Sequence, residues 1–148
     1  MDAELVFDGP YEAARKRFGQ FLRKWFDTGD WTTKTPGLWA KAVGLPLLSN
    51  NTVSFICRGV QPKTSPQFFT TIGYLNQRLA DRDYGSIADL GLRERIAQLQ
   101  PVRHRNGTPW TAVDFFACYI GHLEPPAELW VPPLLTGNER FPMTPPPP

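Results

Sequence analysis

Two cysteines and two histidines are all that this 148-residue chain offers to disulfide or soft-metal chemistry. Cys57 and Cys118 lie far apart, without the paired spacing of a zinc site or the density of a disulfide framework. Both sit in apolar helical patterns, so reduced, buried thiols are expected. Cys118 and His122 stand four apart with Glu124 close behind, but three groups do not complete a structural metal site, and neither a metal nor a cofactor is expected. The glycines Gly19, Gly29 and Gly37 are scattered and make no phosphate-cradling loop. No nucleophile is set beside a base and an orienting group, so an enzyme is not expected. No apolar run approaches the roughly 20 residues that cross a bilayer. The acidic N-terminus lacks the apolar segment of a secretory signal. No membrane partner and a cytoplasmic location are the corresponding expectations. Strand-like alternation and internal repeats are missing as well.

What is present is apolar and unevenly charged. Hydrophobic residues make up 41% and aromatics 13% of the chain, enough for a packed core and too much for global disorder. Net charge is only +2, yet residues 13–63 hold nine bases against two acids. Residues 1–12 hold four acids and no base. A local +7 block attracts phosphate even on a nearly neutral chain; a solvated helix face is its plainer explanation. The sixteen prolines divide too: seven in 1–109, none in 110–124 and nine in 125–148.

Apolar spacing places the helices. Ala14, Phe18, Leu22 and Trp25 mark an amphipathic helix over 10–27, with Pro10 at its first position and Arg15, Lys16, Arg23 and Lys24 opposite. Thr35-Pro36, Ser65-Pro66 and Thr108-Pro109 each put a capping hydroxyl before a proline, and each predicts a helix start. The first of these opens a short helix closed by Gly44. Ser49 caps another over 50–58, ended by Gly59. Phe68, Ile72, Leu75 and Leu79 carry a longer one to about Asp81. Ser86 to Asp89 resembles a capping box and starts a helix running to Pro101. Residues 102–107 form a basic loop. A very apolar helix follows over 109–123, and 125–148 is expected to run extended across the body before fraying.

Two short helices joined by a turn and flanked by longer ones is the helix-turn-helix plan. From about Phe18 to Ala80 the chain resembles the lambda-repressor-like, or XRE-type, helix-turn-helix family. Phe18-Gly19-Gln20-Phe21-Leu22-Arg23 matches that family's first helix, and Trp39-Ala40 with Gly44 its second helix and turn. Val53-Ser54, Arg58-Gly59 and Pro62 match its recognition helix and exit. Phe68, Ile72, Leu75 and Leu79 match its fourth helix. Leu45-Pro46-Leu47-Leu48 lengthens the turn beyond the family's spacing.

The resemblance implies an all-α, repressor-like bundle of about five helices with a C-terminal helical extension and a Pro-rich extended tail. The division expected is a DNA-binding domain over 10–84, an extension for packing or dimerisation over 85–124, and an arm over 125–148. The implied function is sequence-specific binding of double-stranded DNA by a homodimeric transcriptional regulator, with helix 50–58 in the major groove. Val53, Ile56 and Cys57 share the inward face of that helix; Asn51, Ser54, Phe55 and Arg58 share the outward one. Asn51, Ser54 and Arg58 are the expected base contacts, because Asn and Arg match adenine and guanine edges. Thr35, Lys41, Ser49, Asn50, Thr52 and Lys63 are the expected phosphate contacts. Phe55 suits a thymine methyl or a protein contact. Phe115, Tyr119 and Trp130 are the expected interface residues, joining protomers or docking a protein on the C-terminal extension. The alternative function is a protein-interaction adaptor that keeps the scaffold without DNA readout.

Overall fold

The stripe Ala14, Phe18, Leu22, Trp25 forms one face of a helix, α1 (Ala3–Thr28), and all four residues are buried. The computed structural model describes residues 3–46, 48–60 and 64–129, with 3–10 described as helical backbone. After α1 come α2 (Thr35–Ala42), α3 (Asn50–Cys57), α4 (Pro66–Asp81), α5 (Leu90–Ala97) and α6 (Ala112–Tyr119). A 3-10 turn spans Ala127–Leu129. The described residues contain no strand, only an isolated bridge between Arg103 and Pro109. The chain is all-α, as the periodicity predicts.

Several boundaries move for identifiable reasons. The first helix begins at Ala3, so Pro10 lies inside it and does not open it. Thr35 is the first residue of α2 and not its cap. Its hydroxyl turns back to accept from the Thr32 N–H at 3.1 Å, and the residue is 1% exposed. Ser65 does hold the cap position of α4, but its side chain makes no capping bond. Thr108-Pro109 opens no helix. The Thr108 hydroxyl donates to Asn106, and its carbonyl accepts from the His104 N–H, which pulls the pair into a turn. Helix α6 starts instead after Thr111, in a full capping box with Asp114. In α5 it is Asp89 that caps, accepting from the Leu92 N–H, so that helix starts later than Ser86 suggested.

One hydrophobic cluster runs from Phe18 to Cys118. Helix α1 is its spine, with α3 and α6 packed on it; α4 packs on α6, and α2 on α4 and α5. Aromatic rings fill the centre: Phe21 lies 5.5 Å from Trp110, and Trp25 lies 5.8 Å from Phe115, centroid to centroid. Phe115 is therefore fully enclosed and cannot serve as an interface residue. Tyr119 is half-buried; its ring meets Phe18 edge-on and its hydroxyl pairs with that of Thr64. The outward side of α6 carries Val113 and Phe116, 73% and 46% exposed. Trp130, and the arm beyond Leu129, lie outside the described residues. Of the arm's start, Pro125 is buried and Leu129 packs on the cluster.

Buried polar atoms tie the two halves of the chain together. Three indole N–H groups donate to carbonyls of the segment 84–100: Trp25 to Gln100, Trp31 to Arg95 and Trp39 to Tyr84, at 2.7, 2.9 and 2.9 Å. The fully buried Asn76 side chain donates to the Val102 and Trp110 carbonyls and accepts from the Val102 N–H. Leaving any such group unpaired would cost about 1–3 kcal/mol.

Candidate nucleic-acid interface

The turn between α2 and α3 is built from its glycines outward. Gly44 has φ +77°, the left-handed conformation that a tight exit from α2 requires. The residues that lengthen the turn are packed: Leu48 is 4% exposed and Leu45 rests against the core. Room for this comes from Gly37, where an added Cβ would stand 2.2 Å from the Leu48 carbonyl oxygen. Ala40 is fully buried, as expected of a small residue at a crossing. Yet the main support of α3 is α1, not α2.

Helix α3 begins as the sequence predicts. Ser49 is its cap and accepts from the Thr52 N–H at 3.1 Å, while its own hydroxyl pairs with that of Thr52 at 2.9 Å. The Thr33 hydroxyl donates to the Asn50 side-chain oxygen, which joins the start of α3 to the approach of α2. Neither helix has an acid in its first turn, so the partial positive charge of both amide ends stands without a counter-charge. At the other end the Val60 N–H bonds the Phe55 carbonyl and the Gly59 N–H bonds that of Ile56, with Gly59 at φ +71°.

The two faces of α3 separate cleanly. Val53, Ile56 and Cys57 are buried. Asn51 and Arg58 are exposed, and Ser54 is half-buried. Phe55 is 39% exposed, and the Arg58 guanidinium lies over its ring, 5.0 Å from the centroid. The phenyl face thus provides a platform that holds the guanidinium against the helix. Lys16 on α1 borders the exit of α3: a Cβ added at Gly59 would lie 3.0 Å from its Cα. Arg23 is near enough to act electrostatically on Cys57. Positive charge at this end also offsets the negative pole of α3.

The expected phosphate contacts meet different fates. Lys41, Ser49 and Asn50 are exposed, and Thr52 is half-buried. Thr35 is sealed inside and is excluded. Lys63 lies outside the described residues. Lys34, at the cap position of α2 and exposed, is a base that the motif reading passed over; its place beside Thr35-Pro36 was the available signal.

The remaining chemistry is structural. Burial pushes the Cys57 thiol up to about 11 against the pull of Arg23, and the Cys118 thiol up to about 12 against that of Arg17. Neither forms a thiolate nucleophile near neutral pH. Cys118 is enclosed and His122 exposed, so the two do not share a face. Among the described residues no three His, Cys, Asp or Glu groups gather as metal ligands. His104 Nε2 meets an Asp114 carboxylate oxygen at 2.9 Å. Partial burial raises that carboxyl, but the Thr111 N–H, the His104 ring and the Thr111 hydroxyl outweigh it and hold Asp114 below the ordinary value. Two open grooves of about 490 and 290 Å³ flank Leu90 and Arg93 on the segment 84–97 and gather no convergent polar set. No described helix is long and apolar enough to cross a membrane.

Residues 9–121 match the family described as a domain of unknown function, DUF8644, and the chain belongs to that family. No curated protein and no solved structure matches it.

Proposed function

We propose that this DUF8644 member binds double-stranded DNA through α3 and regulates transcription as a cytoplasmic helix-turn-helix protein. The observation that carries the reading is the division of α3. Val53, Ile56 and Cys57 anchor it on α1, while Asn51, Ser54 and Arg58 point outward, with Arg58 laid over Phe55. Set in a major groove, Asn51 suits an adenine edge and Arg58 a guanine edge. Lys41, Ser49, Asn50, Thr52 and Lys63, joined by Lys34, would hold phosphates, with the unneutralised amide ends of α2 and α3 beside them.

The test is selection of duplexes from a random pool, followed by anisotropy titration. Arg58→Ala should weaken binding to the selected site by about 1–3 kcal/mol and relax one base position. Lys41→Ala should weaken all sequences alike and flatten the salt dependence. Failure to retain any duplex at low salt would overturn the reading. The protein-interaction adaptor remains a second reading, favoured by Leu38, 52% exposed on α2, together with Phe55 on α3. It predicts a salt-insensitive protein complex that survives Arg58→Ala.

A further inference from the structure

Helices α4 and α6 lie side by side and antiparallel. Phe69 meets Phe116, with ring centroids 5.3 Å apart. An added Cβ at Gly73 would stand 2.6 Å from the Ala112 nitrogen, and Asn76 reaches the Trp110 carbonyl. Phe68, Ile72 and Leu75 of α4, and Phe115 and Cys118 of α6, turn inward. Helical phase then gives both helices a common outer side. It carries Thr70, Tyr74 and Gln77 from α4 and Val113, Phe116 and Ile120 from α6. Tyr74, Val113 and Phe116 are 56%, 73% and 46% exposed.

This face holds no charged side chain, although a fifth of the chain is charged. Asp114, the one ionisable acid of α6, is turned toward His104. Depletion of charge around exposed aromatic and aliphatic groups marks the centre of a protein interface. It also selects the occupant. In a two-fold contact a patch meets its own image, so every charge on it would lie near its like. A patch without charge is complementary to itself, whereas it offers a charged partner nothing to pair with. We infer that the outer face of α4 and α6 is a two-fold homodimer contact, centred on Val113, Phe116 and Tyr74. The contact is independent of DNA, since α3 packs on α1 and takes no part in it.

Sedimentation of the full chain tests this. The wild type should run at twice its 16.7 kDa mass. Val113→Glu/Phe116→Glu should weaken self-association by at least about 100-fold, since like charges then face each other. Val113→Lys/Phe116→Lys should do the same, and an equal mixture of the two variants should associate again. That rescue requires each patch to face its own image. Both pairs stand on the exposed side of α6, and a melting curve confirms that each variant is folded. If they are not, Tyr74→Glu and Tyr74→Lys on α4 repeat the test. A wild type that stays monomeric up to about 1 mM would overturn the inference. So would a Glu variant that still dimerises, or a dimer formed only after removal of residues 130–148, which would make this chain's own C-terminal segment the occupant.

Discussion

At Gly19 a hydrogen stands where any other residue would place a Cβ, 2.4 Å from the Ile56 carbonyl oxygen and 2.6 Å from that of Cys57. Both obstacles are backbone at the end of α3, so neither can swing away as a side chain would. Alanine in mid-helix ordinarily gains about 1 kcal/mol over glycine. Here that gain is opposed by lifting α3 off α1, an overpacking cost of about 1–3 kcal/mol or more. Gly19→Ala should therefore lower stability in urea, and it should weaken any binding that depends on the seat of α3. Gly91→Ala provides the contrast: its nearest neighbour is the Asp89 carboxylate at 3.4 Å, and the position is exposed, so stability should rise. A stabilising Gly19→Ala would mean that α3 does not rest on this residue.

The elements most legible in the sequence are those whose stripe and cap agree. Ser49 and Gly59 bound α3 as the residues predict, and the inward set Val53, Ile56, Cys57 is the buried one. Thr108-Pro109 misleads because a hydroxyl before proline also suits a turn, and the Asn106 side chain competes for that hydroxyl. The true start, Thr111 to Asp114, has Asp where the usual box has Glu or Gln, which hides it. Thr35 misleads for another reason: the outward placement of a short helix's first residue depends on what packs beneath it, here Thr32 and the core. The α6 cap has a pH signature. Asp114 titrates below its ordinary 3.8 in the folded chain, so the unfolded chain binds its proton first. Its contribution is complete above 3.8 and is lost as pH falls through the lower folded value. Asp114→Asn should remove part of the loss in stability measured between about pH 5 and pH 2. An unchanged acid limb would mean that the Thr111 box and the His104 contact contribute nothing.

Across the whole molecule, composition divides the chain where packing does not. Residues 10–84 and 85–124 differ in charge and in resemblance, yet Trp110, Phe115 and Cys118 lie in the same cluster as Phe18 and Trp25. The indoles of Trp25, Trp31 and Trp39 end on carbonyls of 84–100, and Asn76 ends on 102 and 110. No sequence signal marks such acceptors, because every residue has a carbonyl; the burial of a tryptophan is legible, its partner is not. A fragment ending at residue 84 would keep these donors and lose most of what they bond and much of what they pack against. It should show reduced helical signal, red-shifted tryptophan emission and no sharp melt. The full chain should unfold in one transition, with fluorescence and circular dichroism coinciding. A fragment 1–84 that melts cooperatively would instead establish an autonomous N-terminal domain. The three indole bonds would then join two independently stable bodies, and Trp39→Phe would alter the coupling between two transitions without lowering the first.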